Sequence, residues 1–342
     1  MPTALQISES DRVLVLAPHP DDESIACAGL LLVARDAGAP RRVVVVTDGD
    51  NNPWPQRWIE KRWRIDAAAR ARWGARRRAE VQAALDVLGV DDEQRHFLGL
   101  PDSGLTALLM RDSRLEAEIG AHIEQFRPTH IALPALEDGH PDHSAVHVAA
   151  RVAVARVAAP VRLLCYAVHG VKAGAGAAVV ALSAAQQAAK REAILSHETQ
   201  MRLSGGRFLR FVRDVENYGA PTFAPRPDFP LHARLDEQGV ELLLSTHDLR
   251  DAARTLQLLV LVDGPGRECV RLQIPVAPRS PVVAQAMTAP ATQVGLEWRA
   301  ADDGLVLRIR LEEAGGPGFF KLERTRPGLV IYDRYGWQTA EH

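Results

Sequence analysis

The sequence predicts an α/β domain, a three-layer sandwich around a mostly parallel sheet, followed by a C-terminal antiparallel β-sandwich domain. Three observations carry this. Short β-branched runs alternate with helical patterns through the first two-thirds of the 342 residues, the order that builds a parallel sheet covered by helices. Pro221, Pro225, Pro227 and Pro230 crowd the segment from Tyr218 to Pro230, and beyond it the helical period stops. The length exceeds one average domain and suits two. The expected domains are therefore 1–226 and 227–342.

Taken in order, Arg12 to Ala17 (RVLVLA) is apolar on both faces, as a buried parallel strand is. Ser24 to Ala37 reads as the helix packed on it. Arg42 to Thr47 (RVVVVT) is a second buried strand, closed by the turn residues Asp48 to Asn51. Arg76 to Gly89 is an amphipathic helix with glycine at the position just past its end. Arg95 to Leu100, Thr129 to Leu133 and Val161 to Val168 are further strands, separated by helices at Leu115 to Phe126 and Ser144 to Ala158. Past the proline-rich segment, Val240 to Leu244, Thr255 to Val262, Cys269 to Ile274, Leu305 to Leu311 and Leu329 to Tyr332 have strand composition. Turn signals at Glu237-Gln238-Gly239, Asp263 to Gly266, Asp302-Asp303-Gly304 and Arg326-Pro327-Gly328 give hairpin-like spacing.

Composition excludes several classes. Lys+Arg 41 against Asp+Glu 43 leaves a net charge of −2, so no global field draws the chain to nucleic acid or membrane. Cys27, Cys165 and Cys269 are an odd number without a Cys-x-x-Cys pair, which argues against a disulfide scaffold or zinc finger and for a reducing compartment. Met1 to Asp11 lacks the apolar core of a signal peptide, and no run approaches the length of a membrane span. The expectation is a soluble cytoplasmic protein, of oligomeric state left open.

Two loops concentrate the chemistry. Pro18-His19-Pro20-Asp21-Asp22-Glu23 follows the first strand. A polar turn capping the next helix explains one of those acids, not an imidazole and three acids together. The carboxyl end of a parallel strand is where open α/β sheets hold ligands, and His with Asp suits Zn²⁺ or Fe²⁺. Glu137-Asp138-Gly139-His140-Pro141-Asp142-His143 leaves a later strand at the same sheet edge, with His143 opening an alanine-rich helix. Taken together the loops read as a metal-hydrolase site.

This pairing, PHPDDE after a first strand and HPDH after a later one, resembles the PIG-L (LmbE-like) family of metal-dependent N-acetylglucosamine deacetylases. The resemblance runs over residues 11 to 200 and takes in Arg77-x-x-Glu80 before Leu88-Gly89-Val90, Leu98 to Gly104, and Lys190 through His197 to Gln200. Arg57 to Arg72 and everything after residue 226 lie outside that pattern. The resemblance implies a Rossmann-like fold with His19, Asp22 and His143 as ligands of Zn²⁺, with Fe²⁺ or another divalent ion as alternatives. It implies Asp21 as general base, His140 as the imidazole near the leaving group, Asp142 as the carboxylate that orients it, and Arg77 and Asp102 as substrate contacts. The implied reaction removes the N-acetyl group from an N-acetylglucosamine-type amino sugar or a nucleotide-, lipid- or glycan-linked conjugate, releasing acetate and a free amine. The competing readings are a metal-dependent phosphoesterase and a non-catalytic glycan-binding scaffold.

Weaker signals remain. Residues 54 to 78 hold Trp54, Trp58, Trp63 and Trp73 among many arginines. Such a segment suits nucleic acid, an amphipathic helical insertion at the rim of the site, or stacking on a sugar with arginine pairing to phosphate. The near-neutral whole chain favours the insertion, and nucleic acid is not expected as a partner. His169 and His197 are within reach of the site in chain order, but lone histidines are more often structural. The C-terminal domain, with Trp298, Tyr332, Tyr335 and Trp337, carries no metal or nucleophile constellation; carbohydrate binding, oligomer formation and a wall over the cleft are its candidate roles.

Overall fold

Strands and helices follow one another as the apolar runs dictate. The chain opens with the short β1 (Thr3–Ala4), then β2 (Val13–Ala17), α1 (Asp22–Ile25), α2 (Ala28–Asp36), β3 (Arg41–Thr47), α3 (Pro53–Glu60) and α4 (Ala67–Val87). It continues through β4 (Arg95–Leu100), α5 (Leu105–Arg111), α6 (Arg114–Phe126), β5 (His130–Pro134), α7 (Pro141–Ala155) and β6 (Arg162–Tyr166). β7 (Ala178–Ala181), α8 (Ala184–Leu195), α9 (Glu198–Phe208) and β8 (Val215–Tyr218) complete the first part. The computed structural model describes residues 3–170, 178–221, 231–236, 239–245, 256–263, 269–276, 285–288, 295–301, 304–310, 316–324, 333 and 335–339.

The central sheet has the order β4-β3-β2-β5-β6 and every pairing in it is parallel. Period-2 alternation divides its side chains between two cores. Leu14, Leu16, Val44 and Val46 pack toward α5, α6 and α7, while Val13, Val15, Ala17, Val43 and Val45 pack toward α2, α4 and α8. The order reverses between β2 and β5. A sheet of this kind opens a crevice at the carboxyl ends of the strands flanking that reversal, and both chemistry-bearing loops leave from there.

Several expected elements differ in extent. The helix expected over Ser24 to Ala37 is broken at Ala26-Cys27 into α1 and α2. α4 begins nine residues earlier than Arg76, because Asp66 accepts a hydrogen bond from Ala69 N and caps it. α8 and α9 break at Ser196-His197 within the stretch Lys190 to Gln200. A separate sheet, β1-β7-β8, stands beside the central one. The three cysteines are buried and free, as small core residues, and no described helix is long and apolar enough to cross a membrane.

The C-terminal part is antiparallel: β9 (Leu231–Asp236), β10 (Gly239–Ser245), β11 (Leu256–Asp263), β12 (Cys269–Pro275), β13 (Gln285–Thr288), β14 (Gly295–Ala301), β15 (Gly304–Arg310), β16 (Gly318–Arg324) and β17 (Trp337–Thr339). They form sheets of order β14-β15-β10-β9 and β13-β12-β11-β16-β17. Val240, Leu242, Leu307 and Ile309 from the first share a core with Leu258, Val260, Leu272 and Phe320 from the second. The expected boundary near residue 226 and the strand Leu329 to Tyr332 lie outside the described residues, as do Tyr332 and the Trp298 side chain. Trp337 is fully buried, so it is a core residue and not a stacking surface.

This part packs directly on the first. Leu259, Leu261, Cys269, Phe319 and Trp337 belong to the same core as α5, α6 and α7. The Arg271 guanidinium, itself buried, donates to Leu109 O at 2.7 Å and pairs with Glu116. Arg156 pairs with Asp263 at 2.6 Å, and Asp333 N donates to Gly139 O at 2.7 Å.

Candidate metal centre and active site

Three side chains converge at the reversal point. His19 and Asp22 come from the turn that follows β2, and His143 from the first turn of α7, where Pro141 at the first helical position fixes the entry of the chain. His19 Nδ1 and His143 Nε2 are 3.2 Å apart; Asp22 Oδ2 is 3.5 Å from the first and 3.2 Å from the second. A point equidistant from atoms so spaced lies about 1.9 Å from each, close to the ~2.0–2.2 Å of a Zn–N or Zn–O bond once the ion rises toward an open position. Two imidazole nitrogens and a carboxylate oxygen facing one point are a donor set that could hold a divalent cation. The expected ligand set His19, Asp22 and His143 is thus brought together.

The surroundings suit such an ion. His143 Nδ1 lies 3.3 Å from Asp138 Oδ2, and His19 Nε2 lies 3.3 Å from Asp142 Oδ2 and 3.4 Å from Asp102 Oδ1. A carboxylate behind each imidazole fixes its orientation and raises its basicity as a ligand. Burial opposes charge on His143, yet Asp138 and Asp22 outweigh it and hold the imidazole up at about 10. His19 is raised well above its ordinary range against the same burial by Asp102, Asp142 and Asp22. Asp22, Asp102 and Asp138 are all lowered, the histidines more than compensating burial. The pocket favours positive charge where the three lone pairs meet, and an ion loading there displaces protons.

Asp21 stands beside this point without joining it. Its φ of 118° is a left-handed conformation for a residue with a β-carbon. Glu23 Oε2 accepts from Asp21 N at 3.0 Å, and Arg77 donates to Asp21 Oδ2 at 2.9 Å and to Pro20 O at 2.5 Å. Burial pushes the Asp21 carboxyl up to about 7, with Arg77 opposing and Asp22 reinforcing. Arg77 also donates to Gly49 O; at Gly49 (φ +61°) a β-carbon would lie 1.8 Å from the guanidinium. Arg77, expected as a substrate contact, lines the cavity, and its guanidinium also holds Asp21 and the carbonyls of Pro20 and Gly49. Glu23 is in turn bound by Ser24 Oγ at 2.7 Å and by His197 Nε2 at 2.9 Å. Glu80 receives Thr199 N and Oγ1 and so anchors the start of α9 after His197.

His140 and Asp142 are arranged differently from expectation. The Asp142 carboxylate does not face His140. It accepts from Ser103 N at 2.6 Å and Leu105 N at 3.0 Å, and otherwise faces His19. It is the Asp142 amide that donates to His140 Nδ1, at 3.2 Å, which leaves Nε2 to carry the proton of a neutral ring. Burial, then the positive charges of His19, His143 and His169, push His140 down to about 2. Asp102 accepts from Asn51 N at 2.6 Å and lines the cavity.

Sequence reading missed Asp138, Glu23, His197 and His169 as parts of the site. Asp138 also receives His140 N, Val168 N and His169 N and is fully buried. The legible signal was its place in the second loop: a carboxylate beside a ligand histidine is a frequent orienting partner. The cavity above the site measures about 530 Å³, and Trp54, Trp58, Trp73, Leu203, Phe208 and Phe211 are among the side chains that wall it.

Residues 14–154 match the family profile described as PIG-L: GlcNAc-PI de-N-acetylase. The chain is 34% identical over 162 residues to the 1D-myo-inositol 2-acetamido-2-deoxy-alpha-D-glucopyranoside deacetylase of Mycobacterium sp., across 42% of this chain and 50% of that protein. It is 31% identical over 172 residues to the protein of the same description from Nakamurella multipartita, across 44% and 57%. The chain thus spans about half the length of the curated relatives it matches. Among solved structures, N,N'-diacetylchitobiose deacetylase from Pyrococcus horikoshii superposes with a TM-score of 0.50 at 19% identity, over 64% of this chain and 88% of that one, a likeness of fold.

Proposed function

With the PIG-L match over residues 14–154 as premise, we propose that this chain is a zinc-dependent N-deacetylase that hydrolyses the acetamide of an N-acetylglucosamine-type sugar conjugate to acetate and a free amine. The observation that carries it is the convergence of His19 Nδ1, Asp22 Oδ2 and His143 Nε2 on one point, beside a carboxylate held out of that triangle. The relatives described as deacetylases of a 2-acetamido-2-deoxyglucoside favour this substrate class. The domain comprises residues 1–226, and the two C-terminal sheets pack as a sandwich after it.

A divalent ion on the three ligands would acidify water and polarise the acetyl carbonyl. The chain's own groups do the rest. Asp21, fixed by Arg77 and Glu23, takes the proton from water as it attacks the carbonyl carbon, and returns it to the departing amine. His140 donates from Nε2 to the oxygen that gains charge, its ring locked by the Asp142 amide. Asp138, Asp142 and Asp102 keep the ligand imidazoles oriented.

The test is acetate release from N-acetylglucosamine and its inositol, nucleotide, lipid and glycan conjugates, with and without Zn²⁺, for wild type and Asp21→Asn. Metal-dependent release, reduced about a hundred- to ten-thousandfold in Asp21→Asn with metal content unchanged, supports the assignment. His143→Ala should lose both metal and activity. No release from any conjugate by the zinc-loaded protein would overturn it.

A further inference from the structure

We propose that the segment around α3 is a docking surface for an anionic phospholipid bilayer, which seats the mouth of the active-site cavity against the membrane. The inference does not depend on the reaction catalysed, since it concerns a surface and not the site.

Six large apolar side chains stand exposed among the described residues, and four of them form this one patch: Trp54 (54% exposed), Trp58 (76%), Trp63 (78%) and Leu203 (37%). Trp54 and Trp58 are one turn apart on α3, and the Trp63 ring meets Trp54 edge-on at 6.3 Å. Arg57 lies over both Trp54 and Trp63. Indole rings left in water at this density are unusual, whereas an apolar body with one polar N–H suits the boundary between headgroups and acyl chains.

Charge is the second observation. Residues 53–72 hold Arg57, Lys61, Arg62, Arg64, Arg70 and Arg72 against Glu60 and Asp66, in a chain whose net charge is −2, and Arg70 is paired with Asp50 outside that stretch. Glu60 is paired with Arg72, and Asp66 caps α4. Lys61, Arg62 and Arg64 are exposed and form no ion pair with a carboxylate among the described residues. Apolar insertion and a polybasic patch are the two signals that stable peripheral anchoring requires. A nucleic acid would use the cations and stack on the indoles as well; exposed Leu203, which offers neither charge nor a stacking face, is the part of the patch that a lipid surface explains and a nucleic acid does not.

The experiment is co-sedimentation of the full chain with vesicles of phosphatidylcholine alone and of phosphatidylcholine with phosphatidylglycerol, with tryptophan emission recorded. The expected result is binding to the phosphatidylglycerol vesicles that weakens with salt and shifts the emission to the blue. Arg62→Glu and Arg64→Glu should each weaken binding about fivefold or more. Trp63→Ser should weaken it at unchanged melting temperature, since Trp63 is exposed and outside the cavity wall. No binding to the anionic vesicles overturns the proposal. So does binding that leaves the emission and the Trp63→Ser affinity unchanged, which would mark a simple polyanion site.

Discussion

Asp21 is held in a backbone conformation that costs about 1–3 kcal/mol, and the groups that impose it come from three other parts of the chain. Glu23 grips its amide, Arg77 of α4 its carboxylate, and His197 at the α8–α9 break secures Glu23. Glu23→Gln should therefore lower turnover about 10–100-fold while metal content and melting temperature stay near wild type; an unchanged rate would remove Glu23 from the positioning of Asp21. Asp138 acts on the other side of the site, behind His143. Asp138→Asn should reduce zinc affinity about 10–100-fold in competition with a chelator, and an unaltered affinity would contradict its role. Of these residues, His19, Asp21, Asp22, His140 and His143 were legible because two short loops concentrate them. Glu23 and Asp138 lay in the same loops, but nothing in their spacing assigned them a partner, and His197 lies 174 residues from its partner, a separation at which chain order carries no contact information.

At the level of elements, the buried strands were the most legible, because a parallel strand covered on both faces is a continuous apolar run: RVLVLA and RVVVVT yielded β2 and β3 to within one residue. The break between α1 and α2 was not, since Ala26-Cys27 is apolar on either side and its cause is distant. Glu216 of β8 accepts from Gly29 N and Leu30 N at the start of α2, and is paired with buried Lys190 of α8 at 2.6 Å. That acid does the capping that no residue of α2 supplies. Glu216→Gln leaves Lys190 buried without its counter-charge and should lower stability by about 3–5 kcal/mol in urea unfolding; a loss under about 1 kcal/mol would show the cap to be dispensable. β9 (LHARLD) and β14 (GLEWRAA) escaped notice because polar residues interrupt their runs, and β7 because four residues are too few to show a period. The prolines of α3 sit in its first turn, where they start a helix without breaking it.

For the molecule as a whole, the decisive feature is the seam between the α/β part and the antiparallel sheets. It is apolar, shared with α5, α6 and α7, and pinned by Arg271 with Glu116 and by Arg156 with Asp263. Thermal unfolding should accordingly run as one transition, and Arg271→Ala, which strands the buried Glu116 charge, should lower its midpoint or split it in two; two transitions already in wild type would mean the seam does not couple the parts. Turn composition anticipated the antiparallel sheets, but nothing in a linear reading said that they would dock on the helices beneath the site. The hydrogen bond from Asp333 N to Gly139 O reaches the residue next to His140. Through it and the seam, binding in one part is thermodynamically linked to folding in the other. Zinc at a hundred times its dissociation constant would stabilise a single cooperative unit by about 2.7 kcal/mol, so amide exchange in β11 and β16 should slow on metal loading although neither strand touches a ligand, and damage to those sheets should in turn loosen the metal.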